Sequence, residues 1–220
     1  DPDVYPESDW LDRLLAANAA TGHVIAGALA CHGARHVDTA VHFCKFAPFL
    51  PGGPERDLDI APTANLLCSR PALLRVGAFP ADEMQGDVIW SWRAREVGET
   101  LRFAPAAVVH HHHLESIPAF LRERHRRGIE FAALRAGWLR HGAGRDLLFL
   151  LVSALPVRLV RVLALTIGHA TRAGALRRLT WTLPLVAAGY EAWLIGESVT
   201  YARRLGRRLA GADPAGPAGS

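Results

Sequence analysis

The chain has 220 residues, half of them hydrophobic and 21% charged, with a mean hydropathy of +0.11. That composition supports one substantial domain and excludes a disordered tail, a collagen-like chain and a low-complexity segment. The net charge of +4 conceals a split: residues 1–119 carry nine Lys/Arg against fifteen Asp/Glu, and residues 120–220 carry sixteen Arg against six Asp/Glu.

Such a division implies an acidic half able to hold a metal or polar substrate and a basic half facing something anionic. Lys45 is the only lysine, so the basic half is built from arginine, whose planar fork suits phosphates and lipid headgroups. Cys31, Cys44 and Cys68 share no short spacing and form neither a disulfide framework nor a zinc knuckle, which points to a reducing compartment. The chain begins at Asp1 with no initiating Met and no signal segment, as expected of a piece of a longer protein.

In chain order, Ser8 or Asp9 is expected to cap an amphipathic helix carrying Leu11, Leu14 and Leu15. The apolar run 24–30 is of strand length. A His- and aromatic-rich segment then ends in the loop Pro51-Gly52-Gly53-Pro54. Residues 64–68 predict a second short strand, with a helical turn around Pro71. A helix is expected over 88–97, closed by Gly98. Residues 100–103 and 107–111 alternate like two strands. Strands interleaved with helices over 1–115 predict an α/β domain. Residues 116–145 predict an Arg-rich amphipathic helix with Pro118 in its first turn. Residues 146–210 predict an apolar helical hairpin, and the Pro/Gly/Ala-rich 211–220 a disordered tail.

The two apolar stretches of the hairpin, 147–168 and 179–199, are each about the 20 residues needed to cross a bilayer. The first contains Pro156, Arg158 and Arg161; the second contains Pro184, Glu191 and Glu197. Central charges oppose spanning by about 2.5–3.5 kcal/mol each, and a spanning hairpin would place arginines on both sides of the membrane. Association with the membrane interface is the reading these charges favour, with a pair of buried helices as the alternative.

Four groups of residues could carry chemistry. Asp1 and Asp3 are a carboxylate pair able to present oxygens to Mg²⁺ or Mn²⁺, or simply to be solvated. His110 to His113 form a run; on a strand, His111 and His113 share one face and His110 and His112 the other. Asp87 opens a helix and is either an N-cap or a general base. Arg122, Arg124, Arg126 and Arg127 are the densest basic cluster, suited to a diphosphate, a lipid surface or water. No stacking aromatics interleave with them, so nucleic acid is not an expected partner.

In their order and spacing, these pieces resemble the second half of a family 2 glycosyltransferase, the inverting nucleotide-sugar type with a GT-A fold, over roughly residues 1–145. Asp1-Pro2-Asp3-Val4 resembles the metal-binding Asp-x-Asp strand end. Ala64-Asn65-Leu66-Leu67 and Arg70 resemble the acceptor-side strand. Arg75-Val76-Gly77-Ala78-Phe79 resembles the Val-Gly-Gly-Phe turn, with Ala78 for the second Gly. Gly86-Asp87 and Trp92-Arg93 resemble the Glu-Asp motif and the Ser-Trp-Arg after it, with Gly86 for the Glu. Val108-Val109-His110-His111-His112 resembles the histidine element that joins the metal site in some relatives. Gly196-Glu197 and Tyr201 resemble the membrane-associated tail of many bacterial members.

The resemblance implies a partial GT-A domain in which Asp87 is the catalytic base. Asp1, Asp3 and His111 would hold Mg²⁺ or Mn²⁺, and Arg122, Arg124, Arg126 and Arg127 the donor diphosphate. Asn65, Trp90 and Trp92 would lie on the acceptor side. It implies a nucleotide-sugar donor, a lipid-linked or polysaccharide acceptor, and a place on the cytoplasmic face of a bacterial membrane. Gly86 leaves a second expectation, a catalytically degenerate module that binds membrane or partners. An α/β hydrolase on a membrane anchor finds no Gly-x-Ser-x-Gly elbow in the chain.

Overall fold

A computed structural model describes residues 3–80, 85–113 and 116–211. The chain divides into two compact units, one of residues 1–116 with 164–186 and one of residues 117–163 with 187–220.

The first unit is mixed α/β. Its strands are β1 (Val4–Pro6), β2 (Val24–Cys31), β3 (Arg56–Leu58), β4 (Leu66–Leu67) and β5 (Leu101–His111). They form one sheet in the order β1-β5-β2-β4, with β3 pairing the other end of β5. β2 and β5 are parallel and every other pair is antiparallel. Continuous burial of Val24 to Leu29 explains the unbroken apolar run of β2, since a central parallel strand is covered on both faces. Ile25 packs with Leu14 of α1 (Trp10–Thr21), whereas Val24 and Ala26 pack with Trp90 and Ala94 of α4 (Gly86–Glu96). Helices α2 (His36–Phe46) and α3 (Arg70–Val76) lie between β2 and α4 in the chain. Ser69 caps α3 by accepting the Ala72 N–H at 3.2 Å, as a serine before Pro71 favours.

The two strands expected at 100–103 and 107–111 are one strand with an irregularity. Gly27 pairs with Ala104 and Ala28 with Val108, which leaves 105–107 without a register partner on β2. Pro105 has no N–H to give the ladder, so the chain bulges there. Asn65 fills the bulge: its Nδ2 donates to Ala28 O at 2.8 Å and Ala107 O at 3.0 Å, and its Oδ1 accepts from Trp10 Nε1 at 2.8 Å. A Cβ on Gly27 would fall 2.2 Å from Asn65 Nδ2 and 2.5 Å from Ala107 O, so only glycine admits this plug. Asn65→Ala is therefore expected to destabilise the protein by several kcal/mol, at about 1–3 kcal/mol for each buried carbonyl left unbonded. Denaturant unfolding would show it as a lower midpoint, and an unchanged midpoint would refute the plug.

The second unit contains α5 (Ile117–Trp138) and α6 (Ala143–Ala154). The helices α7 (Pro156–Arg172) and α8 (Leu176–Leu209) each begin in one unit and end in the other. α5 and α8 touch through their backbones at Gly128 and Gly196. A Cβ at Gly128 would sit 2.1 Å from Trp193 O, and one at Gly196 would sit 2.2 Å from His125 O. The apolar stretch 147–168 is not one helix, as a hairpin would require, but α6 and α7 bent by 68°, because Pro156 forces a new helix start. Among the described residues no single helix is long and apolar enough to cross a membrane, although α6 and α7 together pass on length and composition. The expected tail lies almost wholly outside the described residues.

Candidate functional site

Antiparallel pairing places Val4 opposite His111, so the turn residue Asp3 meets the end of β5. Its backbone O accepts the His112 N–H at 2.8 Å. Asp3 Oδ2 lies 3.7 Å from His111 Nε2. His111 Nδ1 is 3.2 Å from His112 O, a carbonyl to which it can donate. A carboxylate oxygen and an imidazole nitrogen thus face one another across 3.7 Å, a donor pair of the kind that can share a divalent cation. An octahedral Mg²⁺ with ligands at about 2.1 Å sets adjacent ligands about 3 Å apart, so closure by well under 1 Å would bring both onto one ion. The sequence expected this meeting. Asp1, the third expected ligand, lies outside the described residues.

The expected alternation of the histidine run is also present. His111 and His113 stack at 4.6 Å, and His32 makes edge contacts with both His110 at 6.3 Å and His112 at 5.4 Å. On the latter side Glu7 Oε1 is 3.4 Å from His110 Nε2, and Tyr5 lies 5.6 Å from His32. On the former side Phe46 packs 5.0 Å from His111, and α2 brings in His42. Burial, above all, holds the His42 and His113 imidazoles down to about 3, and the neighbouring histidines add to the effect. Both rings are therefore neutral at physiological pH.

Asp87 is the second residue of α4, with Gln85 rather than Asp87 at the N-cap. Its Oδ1 accepts the N–H of Val88 at 2.9 Å, and the half-buried carboxylate sits at the positive end of the helix dipole. Trp90, one turn on, is wholly buried; its Nε1 donates to Gly77 O at 3.0 Å and its ring stacks on Phe79 at 4.8 Å. Trp92 is half-buried. Asn65 and Trp90 act on any acceptor only through the backbone they hold, since neither presents a side chain to solvent.

The four arginines lie in the second unit. Arg124 is buried, with its guanidinium 4.4 Å over the Trp193 ring. Arg127 pairs with Glu123 at 3.0 Å and Arg126 with Glu130 at 3.8 Å. Arg122 and Arg126 are the two open to solvent.

Comparison with family models, curated proteins and solved structures returns no match. The geometry of the residues therefore carries the functional reading.

One grouping was invisible in the sequence. Cys31, His42 and His113 lie together at the same end of the sheet, with their ligand atoms all within 4.8 Å of one another. Ten residues separate the first two and seventy more the third, so no spacing signals them. The only hint was that each falls at or just beyond the end of an apolar run, or on the inner face of a helix.

Proposed function

We propose that this chain is the metal- and acceptor-binding part of an inverting nucleotide-sugar glycosyltransferase of GT-A type, joined to a membrane-associated helical tail. The observation that carries the reading is the Asp3–His111 pair, held at 3.7 Å where β1 and β5 meet beside the central parallel strands. In open α/β sheets, ligands collect at the carboxyl ends of such strands.

In this mechanism Asp3 and His111, with Asp1, would hold Mn²⁺ or Mg²⁺, and the ion would supply positive charge for the departing nucleoside diphosphate. Asp87 takes the proton of an acceptor hydroxyl as that oxygen attacks the anomeric carbon from the face opposite the leaving group. The donor-diphosphate role of Arg122, Arg124, Arg126 and Arg127 rests on the resemblance, and of the four Arg122 and Arg126 are open to solvent. The acceptor is lipid-linked or polysaccharide, and the site is the cytoplasmic face of a bacterial membrane. The tail supports that location. Leu148, Leu151 and Leu155 with Val157 and Val160 are 50–67% exposed across the bend from α6 to α7, beside the exposed Arg161. Apolar side chains flanked by arginine are the pattern of a helix lying in an anionic interface.

The Asp3–His111 pair is tested with Mn²⁺ by electron paramagnetic resonance. The chain is expected to bind one ion, and Asp3→Ala or His111→Ala to weaken binding at least tenfold. Equal binding by native and variant chains would refute the assignment.

Gly86 favours a second reading, a degenerate module that binds without catalysis. Among the described residues a Cβ there would meet Pro80 O at 3.4 Å and Pro80 Cδ at 3.9 Å, ordinary contacts that do not by themselves require glycine in place of the family's glutamate.

A further inference from the structure

Cys31 closes β2, His42 lies midway along α2 and His113 follows β5, so three separate elements aim a thiol and two imidazoles at one point. His42 Nδ1 and His113 Nε2 are 3.1 Å apart. His42 Nε2 is 3.0 Å from Leu29 O; satisfying that carbonyl requires the proton on Nε2, which turns the Nδ1 lone pair toward His113. This is the arrangement of a metal-binding histidine whose second nitrogen is fixed by a backbone carbonyl. The main chain of His113 is anchored too: Arg35 Nη2 donates to its backbone carbonyl at 3.0 Å, and Arg35 is locked by Asp38 through Nε at 3.0 Å. Both imidazoles are 1% exposed.

The nitrogen spacing is close to that of a small tetrahedral ion, and the sulfur lies within 4.8 Å of both nitrogens. With Zn–N of about 2.0–2.1 Å and Zn–S of about 2.3 Å, tetrahedral geometry sets two nitrogens about 3.4 Å apart and sulfur about 3.6 Å from each. The nitrogens need to part by only a few tenths of an ångström. We propose that Cys31 Sγ, His42 Nδ1 and His113 Nε2 bind one Zn²⁺-type ion. Binding replaces the Cys31 S–H with an S–metal bond and releases one proton to solvent.

The fourth coordination position faces a cleft. Cys31 and His42 both line a cavity of about 330 Å³, together with Thr39, Arg177 and Arg178. Three protein ligands and an open fourth position mark a site that keeps a water or takes an anion, in contrast to the closed four-ligand sites that only brace a fold. The two arginines give the cleft a preference for the anion. This site is chemically distinct from the Asp3–His111 pair, because thiolate and imidazole select Zn²⁺ whereas carboxylate oxygen suits Mn²⁺ and Mg²⁺. It does not rest on the glycosyltransferase reading.

Cobalt titration of the full chain, stripped of metal by a chelator, tests the proposal. The expected result is that one Co²⁺ per chain gives the intense visible bands of a tetrahedral ion and a near-ultraviolet thiolate-to-cobalt band, both erased by one equivalent of Zn²⁺. Cys31→Ser is expected to lose the thiolate band and His42→Gln to bind at least tenfold more weakly, while Cys68→Ser keeps the native spectrum. No saturable binding by the native chain, a weak octahedral spectrum, or a thiolate band that survives in Cys31→Ser would each overturn it. The titration of the native chain decides the matter even if a variant fails to fold.

Discussion

Replacing Glu197 with alanine is expected to destabilise the protein by about 3–5 kcal/mol, the cost of leaving buried partner charges uncompensated. Glu197 is fully buried in the second unit. Its Oε2 accepts from Arg135 Nη2 and Ser153 Oγ, each at 3.0 Å, and from Arg158 Nη1. Its Oε1 accepts from Arg158 Nη2 at 3.0 Å and Trp193 Nε1 at 2.8 Å. Arg135 continues the network to Tyr201 Oη at 2.7 Å and lies 4.3 Å over the Phe149 ring. Every lone-pair direction of the carboxylate is met, which is the condition for a buried charge to persist. Alanine removes the anion and leaves two guanidinium groups facing each other in a poorly solvated space. Glutamine keeps the shape and loses the charge, so Glu197→Gln should fall between native and alanine. Urea unfolding measures both. A loss below 1 kcal/mol for Glu197→Ala would contradict the network.

Asp87→Asn is expected to reduce sugar transfer by 10²–10⁴-fold, the range over which a positioned general base contributes. Asparagine is nearly isosteric and can still accept the Val88 N–H that Asp87 accepts at 2.9 Å, so the helix start should survive. The variant then separates the two roles open to an acid at this position. A base lost from the reaction lowers kcat with KM and stability little changed, whereas a structural role would move the unfolding midpoint instead. Rates of nucleotide release at matched folding decide between them, and an unimpaired Asp87→Asn protein would remove Asp87 from the mechanism.

Local chemistry was legible in the sequence and long-range chemistry was not. The apolar run at 24–30, the helical turn around Pro71 and the histidine alternation all depend on neighbours in the chain. The meeting of Asp3 with His111 was readable through resemblance, which already placed a strand-end carboxylate beside a histidine. The bulge at 105–107 was missed because it exists only where β2 passes beside β5 and Asn65 reaches across. Arg158 and Glu197 looked like separate penalties within two apolar stretches, yet they form one ion pair across 39 residues. Their mutual compensation weakens the charge argument against burial while leaving Arg161 exposed on the apolar tail. Cys31, His42 and His113 meet only because β2 and β5 end side by side and the middle of α2 reaches that end, which no periodicity reports.

The central claim is direct displacement at a sugar carbon, and the most direct measurement is the stereochemistry of that displacement. The full-length protein is incubated with Mn²⁺, a nucleotide sugar of known anomeric configuration and a lipid-linked or polysaccharide acceptor, and the new glycosidic bond is assigned by nuclear magnetic resonance. The account predicts a product of inverted configuration, formed with release of one nucleoside diphosphate and suppressed when the metal is chelated. A product of retained configuration, or no transfer from any nucleotide sugar offered, would contradict it.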